Sequence, residues 1–150
     1  MRQYLSKGQK LKLQSNITRE NIAILVHLFY EKAMRDEQIG EYFIIELGDN
    51  MANEEWTEHI ELLVNFWATI FLDEERYKGD PYGPHFTMVG LRREDFIKWA
   101  KIFEHAANKV YVPHIAKLFK EKGDFYAQEF LQKLHLKSDL KELKSTIGWE

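Results

Sequence analysis

Apolar side chains recur along most of the chain at the spacing of an amphipathic α-helix. The first such stripe consists of Ile22, Leu25, Val26, Phe29 and Ala33, with Tyr30 at its edge. Thr18 precedes the stripe and is a favourable N-cap residue, and Ile17 and Ile22 are placed to close a hydrophobic staple across it. This pattern predicts a helix that begins just after Thr18 and buries one face.

The same spacing predicts further helices. One opens near Asn53, where Glu54, Glu55 and Glu58 favour the positive end of the helix dipole. Its buried face reads Trp56, His59, Ile60, Leu63, Phe66, Trp67 and Ile70. Two others begin at about Leu91 and after Pro113, and short helical turns are expected between Gly40 and Gly48. Because we find no alternating apolar run and no hairpin signal, the sequence predicts an all-α fold.

The segment of residues 73–90, DEERYKGDPYGPHFTMVG, departs from the helical pattern. Its glycines and prolines exclude a continuous long helix. A loop of this length is uncommon in a compact domain and is usually either functional or disordered. Because aromatic side chains are embedded in it, we interpret the segment as an ordered functional loop.

Size, charge and cysteine content exclude several classes of function. The 150 residues and 17.9 kDa fit one domain spanning residues 1–150, and the net charge of −3 removes the general attraction to nucleic acid. The absence of cysteine excludes disulfides, thiolate metal sites, cysteine nucleophiles and covalent haem attachment. The longest apolar run, residues 22–26, is too short for a bilayer, and no apolar signal segment follows the basic start. We therefore expect a cytoplasmic protein without membrane insertion.

Two histidines stand apart from the others. His59 lies on the apolar face of its helix, and His85 lies in the glycine and proline segment. The remaining four are interpreted as surface residues: His27, His105, His114 and His135. Tyr30, His59 and Trp99 each bring an N–H or O–H donor to an inward helix face, and a buried donor left unpaired costs roughly 1–3 kcal/mol. Either mutual pairing or a polar guest, such as a diatomic ligand or a metal-bound water, would satisfy these donors.

The chain resembles the truncated haemoglobins, and specifically their third group, over about residues 18–130. Five segments carry the resemblance in the right order: LFYEKAM (28–34), IGEYFIIELG (39–48), EEWTEHIELLVNFW (54–67), RYKGDPYGPHF (76–86) and LRREDFIKWAKIFE (91–104). The N-terminal arm of about fifteen residues and the tail beyond about Leu136 lie outside it and are assigned no role.

The resemblance implies a globin-like, truncated two-on-two helical sandwich around a non-covalent haem b. In this family's pattern His85 corresponds to the proximal iron ligand, and Phe43 to the phenylalanine that packs on the porphyrin. Tyr30, His59 and Trp99 correspond to the polar distal residues, and Leu63 is expected to line the distal pocket. Tyr77 and Lys78 are the residues that we expect near the haem propionates, where a solvated charged face is the alternative.

Three functions follow as hypotheses. The first is a haem b protein that reversibly binds O₂, NO or CO at a five-coordinate, histidine-ligated iron. Donors over the ligand would slow its release, so this hypothesis includes NO dioxygenase or peroxidase-like turnover, with an unidentified reductase as partner. The second is a helical interaction module without haem. The third keeps haem but ligates the iron through both His59 and His85, as in an electron-transfer or sensor protein.

Overall fold

The computed structural model describes residues 12–72 and 91–133 of the chain. Within these ranges it contains five α-helices. They are α1 (Arg19–Arg35), α2 (Gly40–Leu47), α3 (Glu54–Leu72), α4 (Arg93–Val110) and α5 (Pro113–Lys133). The described part of the chain has no β-strand, and it has an isolated parallel bridge between Gln14 and Tyr111. The all-α prediction is therefore confirmed.

Side-chain caps fix the starts of the two helices that the sequence marks best. The Asn21 backbone N–H donates to Thr18 Oγ1 at 3.1 Å, and the Thr18 N–H donates back to Asn21 Oδ1 at 2.9 Å. At the start of α3, the Trp56 N–H donates to Asn53 Oδ1 at 2.8 Å. Ile17 packs against the core, as a staple requires. The predicted starts of α1 and α3 are confirmed, and residues 40–47, predicted as short turns, form a single helix of eight residues.

The helices pack around a core rich in aromatic side chains. Helix α1 packs against α2, α3 and α4, and α4 packs against α5. The largest fully buried side chains are Trp56, Trp67, Tyr111, Phe103 and Phe119. Among the described residues, no helix has both the length and the apolar character needed to cross a membrane.

A close approach between α4 and α5 occurs at Gly123. A methyl group at this position would lie 2.8 Å from Phe103 Cδ2. The Phe103 ring stacks on two tryptophans. Its centroid lies 5.3 Å from that of Trp99 at an interplanar angle of 8°, and 4.9 Å from that of Trp67 at 17°. The glycine thus lets α5 approach a ring that packs on both tryptophans.

The described end of the N-terminal arm, residues 12–15, was assigned no role from the sequence and is bonded to the junction of α4 and α5 through Gln14. The Gln14 N–H donates to Val110 O at 2.8 Å, and the Val112 N–H donates to Gln14 O at 3.0 Å. Beneath this bridge the Tyr111 hydroxyl donates to Asn21 Oδ1 at 2.6 Å. These bonds satisfy backbone groups at the helix ends that would otherwise need water.

Candidate ligand-binding site

Tyr30 of α1 and His59 of α3 meet in a direct hydrogen bond. The distance between Tyr30 OH and His59 Nε2 is 2.9 Å, and the two rings meet edge to face with centroids 5.0 Å apart. Tyr30 is only 4% exposed, whereas His59 is half-buried. Burial raises the pKa of Tyr30 well above its ordinary value, so the phenol keeps its proton at neutral pH.

Trp56 supports this pair from the preceding turn of α3. Its indole N–H donates to Gly48 O at 2.8 Å, which fixes the ring and leaves it no donor for a ligand. The Trp56 ring lies 5.3 Å from Tyr30 and 5.9 Å from His59, centroid to centroid. The sequence placed Trp56 on the buried face of α3 but not at the site, and its position one turn before His59 is the signal that could have found it.

Phe43 reaches the same place from α2. Its ring centroid lies 5.4 Å from that of Tyr30 and 6.4 Å from that of Trp56. The structure therefore brings together three of the residues singled out from the sequence, namely Tyr30, Phe43 and His59.

Trp99 reaches this group through an intermediate ring. Its indole, half-buried on α4, lies 5.5 Å from Phe29 between centroids, and Phe29 lies 4.7 Å from Tyr30. Phe29 was assigned from the sequence to the core alone. The aromatic contacts make it the link between the polar pair and Trp99.

Helix α3 carries two adjacent apolar stripes of different exposure. The fully buried stripe consists of Trp56, Ile60, Val64 and Trp67. The half-buried stripe consists of His59, Leu63, Phe66 and Ile70, at helical spacing. Leu63 thus lies one turn beyond His59 on the same partly exposed face. This face has one polar side chain, at its N-terminal end, and is otherwise apolar.

The segment 73–90 lies outside the described residues, and His85, Tyr77 and Lys78 lie within it. Their predicted roles as iron ligand and propionate contacts therefore stay predictions. In the described ranges, no cluster of three or more histidine, cysteine, aspartate or glutamate side chains could hold a metal ion.

The histidines interpreted as surface residues differ among themselves. His105 and His114 are exposed, as predicted. His27 is half-buried instead, because its side of α1 is partly covered and the apolar stripe is wider than the sequence indicated. His135 lies outside the described residues.

No family model matches the chain. A protein of Campylobacter jejuni described as group 3 truncated hemoglobin ctb is 34% identical to it over 119 residues, which are 79% of this chain and 92% of that protein. The chain belongs to the group III truncated haemoglobins. The resemblance seen in the sequence is thereby confirmed.

A solved structure supports the same family. The crystal structure of a group III truncated hemoglobin from Campylobacter jejuni matches this truncated haemoglobin with a TM-score of 0.76 and 32% sequence identity. The match covers 82% of this chain and 95% of that chain. The predicted globin-like fold is confirmed, and membership of the family implies a haem cofactor and small gas ligands.

Proposed function

We propose that this truncated haemoglobin binds O₂, NO or CO reversibly at a haem b whose iron is ligated by His85. The observation that carries the proposal is the placement of Tyr30 and His59 together at a half-buried apolar face. Their 2.9 Å bond pairs the two groups with each other, and a bound ligand would take over the Tyr30 donor. When bound, the haem would supply a ferrous iron that takes up a diatomic ligand and shifts electron density onto it.

The described residues fit such a group. The half-buried stripe of α3 offers a flat apolar macrocycle a partly exposed face on which Leu63, Phe66 and Ile70 are apolar. At the N-terminal end of this stripe the His59 imidazole is bonded to the Tyr30 hydroxyl at 2.9 Å. Hydrogen-bonding groups among aromatic rings suit an uncharged diatomic ligand that develops partial negative charge.

The Tyr30–His59 bond controls where the phenol proton points. A phenol has one proton to donate, and its oxygen can accept a second bond. If His59 Nε2 carries a proton, it donates to the Tyr30 oxygen, and the phenol proton is left for the ligand. If Nε2 is unprotonated, Tyr30 donates to His59 until the imidazole turns away. We infer that this pair, together with the Trp99 indole N–H, regulates how firmly a ligand is held.

Ligands held in this way leave slowly. Each neutral hydrogen bond is worth about 1 kcal/mol net, so two of them lengthen residence by roughly one to two decades. Slow release favours chemistry on the retained ligand over delivery. We infer conversion of NO to nitrate, or reaction with peroxide, as the turnover, with a reductase that restores the ferrous state.

Absorption spectra of freshly purified protein, oxidised, reduced and with CO, test the haem and its ligation. We expect a Soret band and a five-coordinate ferrous spectrum that changes on adding CO. His85→Gly is expected to lose the iron–histidine bond and to regain it with added imidazole, whereas the exposed His114→Gly keeps wild-type spectra.

The same spectra separate the alternatives. No Soret band after haem addition would leave the helical interaction module as the function. A six-coordinate low-spin ferrous spectrum without added ligand would support ligation by both His59 and His85. Wild-type spectra from His85→Gly would show that the proximal assignment is wrong.

A further inference from the structure

Asp95 is a buried carboxylate that none of the roles above uses. It lies in the first turn of α4 and is 3% exposed. Its Oδ1 accepts from Gln38 Nε2 at 3.0 Å and from the Arg92 guanidinium at 3.5 Å. Its Oδ2 accepts from the Tyr42 hydroxyl and from the Arg92 backbone N–H, both at 2.9 Å. Both carboxylate oxygens are thus satisfied, as burial of a charge requires.

The donors come from separate parts of the chain. Gln38 lies in the turn between α1 and α2, and Tyr42 belongs to α2, where it directly precedes Phe43. Arg92 lies two residues after the segment 73–90, which contains His85. Asp95 therefore joins α2, which carries Phe43, to the start of α4. Trp99 lies on α4, one turn after Asp95.

The hydrogen bond from the Tyr42 hydroxyl to Asp95 helps to hold α2 against the start of α4. Burial, and next the hydrogen bond donated to Asp95, raise the pKa of Tyr42. The phenol therefore remains a donor at neutral pH. Hydrogen bonds to an ionised carboxylate are roughly twice as strong as bonds between neutral groups, so this contact resists separation of α2 from α4.

We propose that Asp95 is a positioning residue for the ligand-binding site, which sets the placement of Phe43 and Trp99 relative to Tyr30 by holding α2 to the start of α4. The inference rests on the proposed function, since it treats these side chains as walls of the ligand pocket. Side chains on different helices keep a fixed separation only where the helices are tied together. The bond between Tyr42 and Asp95 lies close to both side chains. Tyr42 is next to Phe43 in α2, and Asp95 is one turn before Trp99 in α4.

The substitution Asp95→Asn tests the proposal in the full-length chain. An amide retains the shape but offers one acceptor oxygen instead of two. The donors to one oxygen therefore lose their acceptor: either Gln38 and the Arg92 guanidinium at Oδ1, or Tyr42 and the Arg92 N–H at Oδ2. We expect the Trp99 indole N–H resonance to shift in NMR spectra of the haem-free chain. We also expect O₂ to dissociate from the haem-loaded chain about threefold to tenfold faster, as for residues that share one network.

Glu61→Gln is the control. Glu61 also joins two helices, since its carboxylate pairs with Arg19 Nη2 at 3.0 Å between α3 and α1. This pair involves neither α2 nor α4. We expect Glu61→Gln to leave both the Trp99 resonance and the O₂ dissociation rate unchanged.

Tyr42→Phe adds a second, milder test that also serves if Asp95→Asn fails to fold. It removes one donor and keeps the carboxylate, and we expect the same Trp99 shift and faster dissociation. In the Asp95→Asn background the Tyr42→Phe effect should shrink, because the two residues share one bond. A folded Asp95→Asn or Tyr42→Phe chain with the wild-type resonance and rate would overturn the proposal, as would equal changes in Glu61→Gln.

The proposed haem function and the positioning role of Asp95 can be contradicted independently of each other. A chain that binds no haem would end the proposed function, and the Trp99 resonance of the haem-free chain would still decide whether Asp95 positions this side chain.

Discussion

At the scale of single residues, Tyr30 combines two roles that usually fall to different side chains. Its ring completes an edge-to-face aromatic cluster in the core, while its hydroxyl bonds to a half-buried histidine. The rings in contact with it are Phe29, Phe43, Trp56 and His59. Because the ring is held by its neighbours, the hydroxyl is presented at a fixed point without the entropy cost of ordering a free side chain.

The substitution Tyr30→Phe separates these roles, since it keeps the ring and removes the hydroxyl. We expect O₂ to dissociate about fivefold faster from the haem-loaded chain, because one hydrogen bond of about 1 kcal/mol is lost. Stopped-flow measurement of the dissociation rate tests this expectation. An unchanged rate would remove Tyr30 from ligand stabilisation.

Tyr111→Phe is the control for the Tyr30 substitution. Tyr111 is a second buried tyrosine, and its hydroxyl donates to Asn21 rather than to a residue of the site. Its substitution should lower the free energy of unfolding and leave the O₂ dissociation rate as in the wild type.

At the scale of helices, Gly123 has a low helix propensity but allows α5 to pack closely against α4. Glycine lowers helix propensity by about 1 kcal/mol relative to alanine, and from the sequence it only weakens the middle of α5. The structure gives its reason, because a methyl group there would meet the Phe103 ring at 2.8 Å. The close approach of α5 to α4 requires the missing side chain.

Gly123→Ala therefore has two opposing effects on the free energy of unfolding. The gain in helix propensity of about 1 kcal/mol is outweighed by an overpacking cost of about 1–3 kcal/mol, because Phe103 is stacked against Trp67 and Trp99 and has little room to yield. We expect a net loss of unfolding free energy in urea titrations. Glu121→Ala, at an exposed position of the same helix, should change it by less than about 0.5 kcal/mol. A more stable Gly123→Ala protein would contradict the close approach.

The helices and their caps could be predicted because their causes are local. The Thr18 cap and the stripe of α1 lie within a few turns of one another. In α3 the pattern correctly predicted Trp56, Ile60 and Trp67 as buried. It missed Val64 and included four residues that are only half-buried, namely His59, Leu63, Phe66 and Ile70. The Tyr30–His59 bond joins residues 29 apart, and the Gln38–Asp95 bond joins residues 57 apart. Such pairings depend on how helices pack, which periodicity does not encode. Family resemblance predicted a role for Tyr30 and His59, whereas Asp95 carried no such signal.

At the scale of the whole molecule, the two buried tyrosines link stability to pH. Burial raises the pKa of Tyr30 and of Tyr111 above the ordinary value of 10.0. In the unfolded chain both would ionise near that ordinary value. Above it the folded chain binds more protons than the unfolded one, so the stability that both groups contribute is fully present below pH 10.0 and is lost as the pH rises towards their folded pKa values.

We therefore expect the free energy of unfolding to fall above about pH 10 by roughly 1.4 kcal/mol per pH unit for each of these tyrosines. Denaturant titrations at about pH 9, 10 and 11 measure the slope. Tyr111→Phe should make the slope shallower, because one of the two groups no longer titrates. A slope that is the same in both proteins would show that Tyr111 does not contribute.

The bond from Tyr111 to Asn21 also constrains the order of events as the chain is made. Asn21 lies in the first turn of α1, and its partner is 90 residues further along the chain. A ribosome releases the N-terminal end first, so α1 emerges with its amide still hydrated and the arm around Gln14 unattached. The bonds of Asn21 and Gln14 to the end of α4 can form only after that end has been synthesised. In this globin residues 14–21 therefore wait for a partner that the ribosome delivers about ninety residues later.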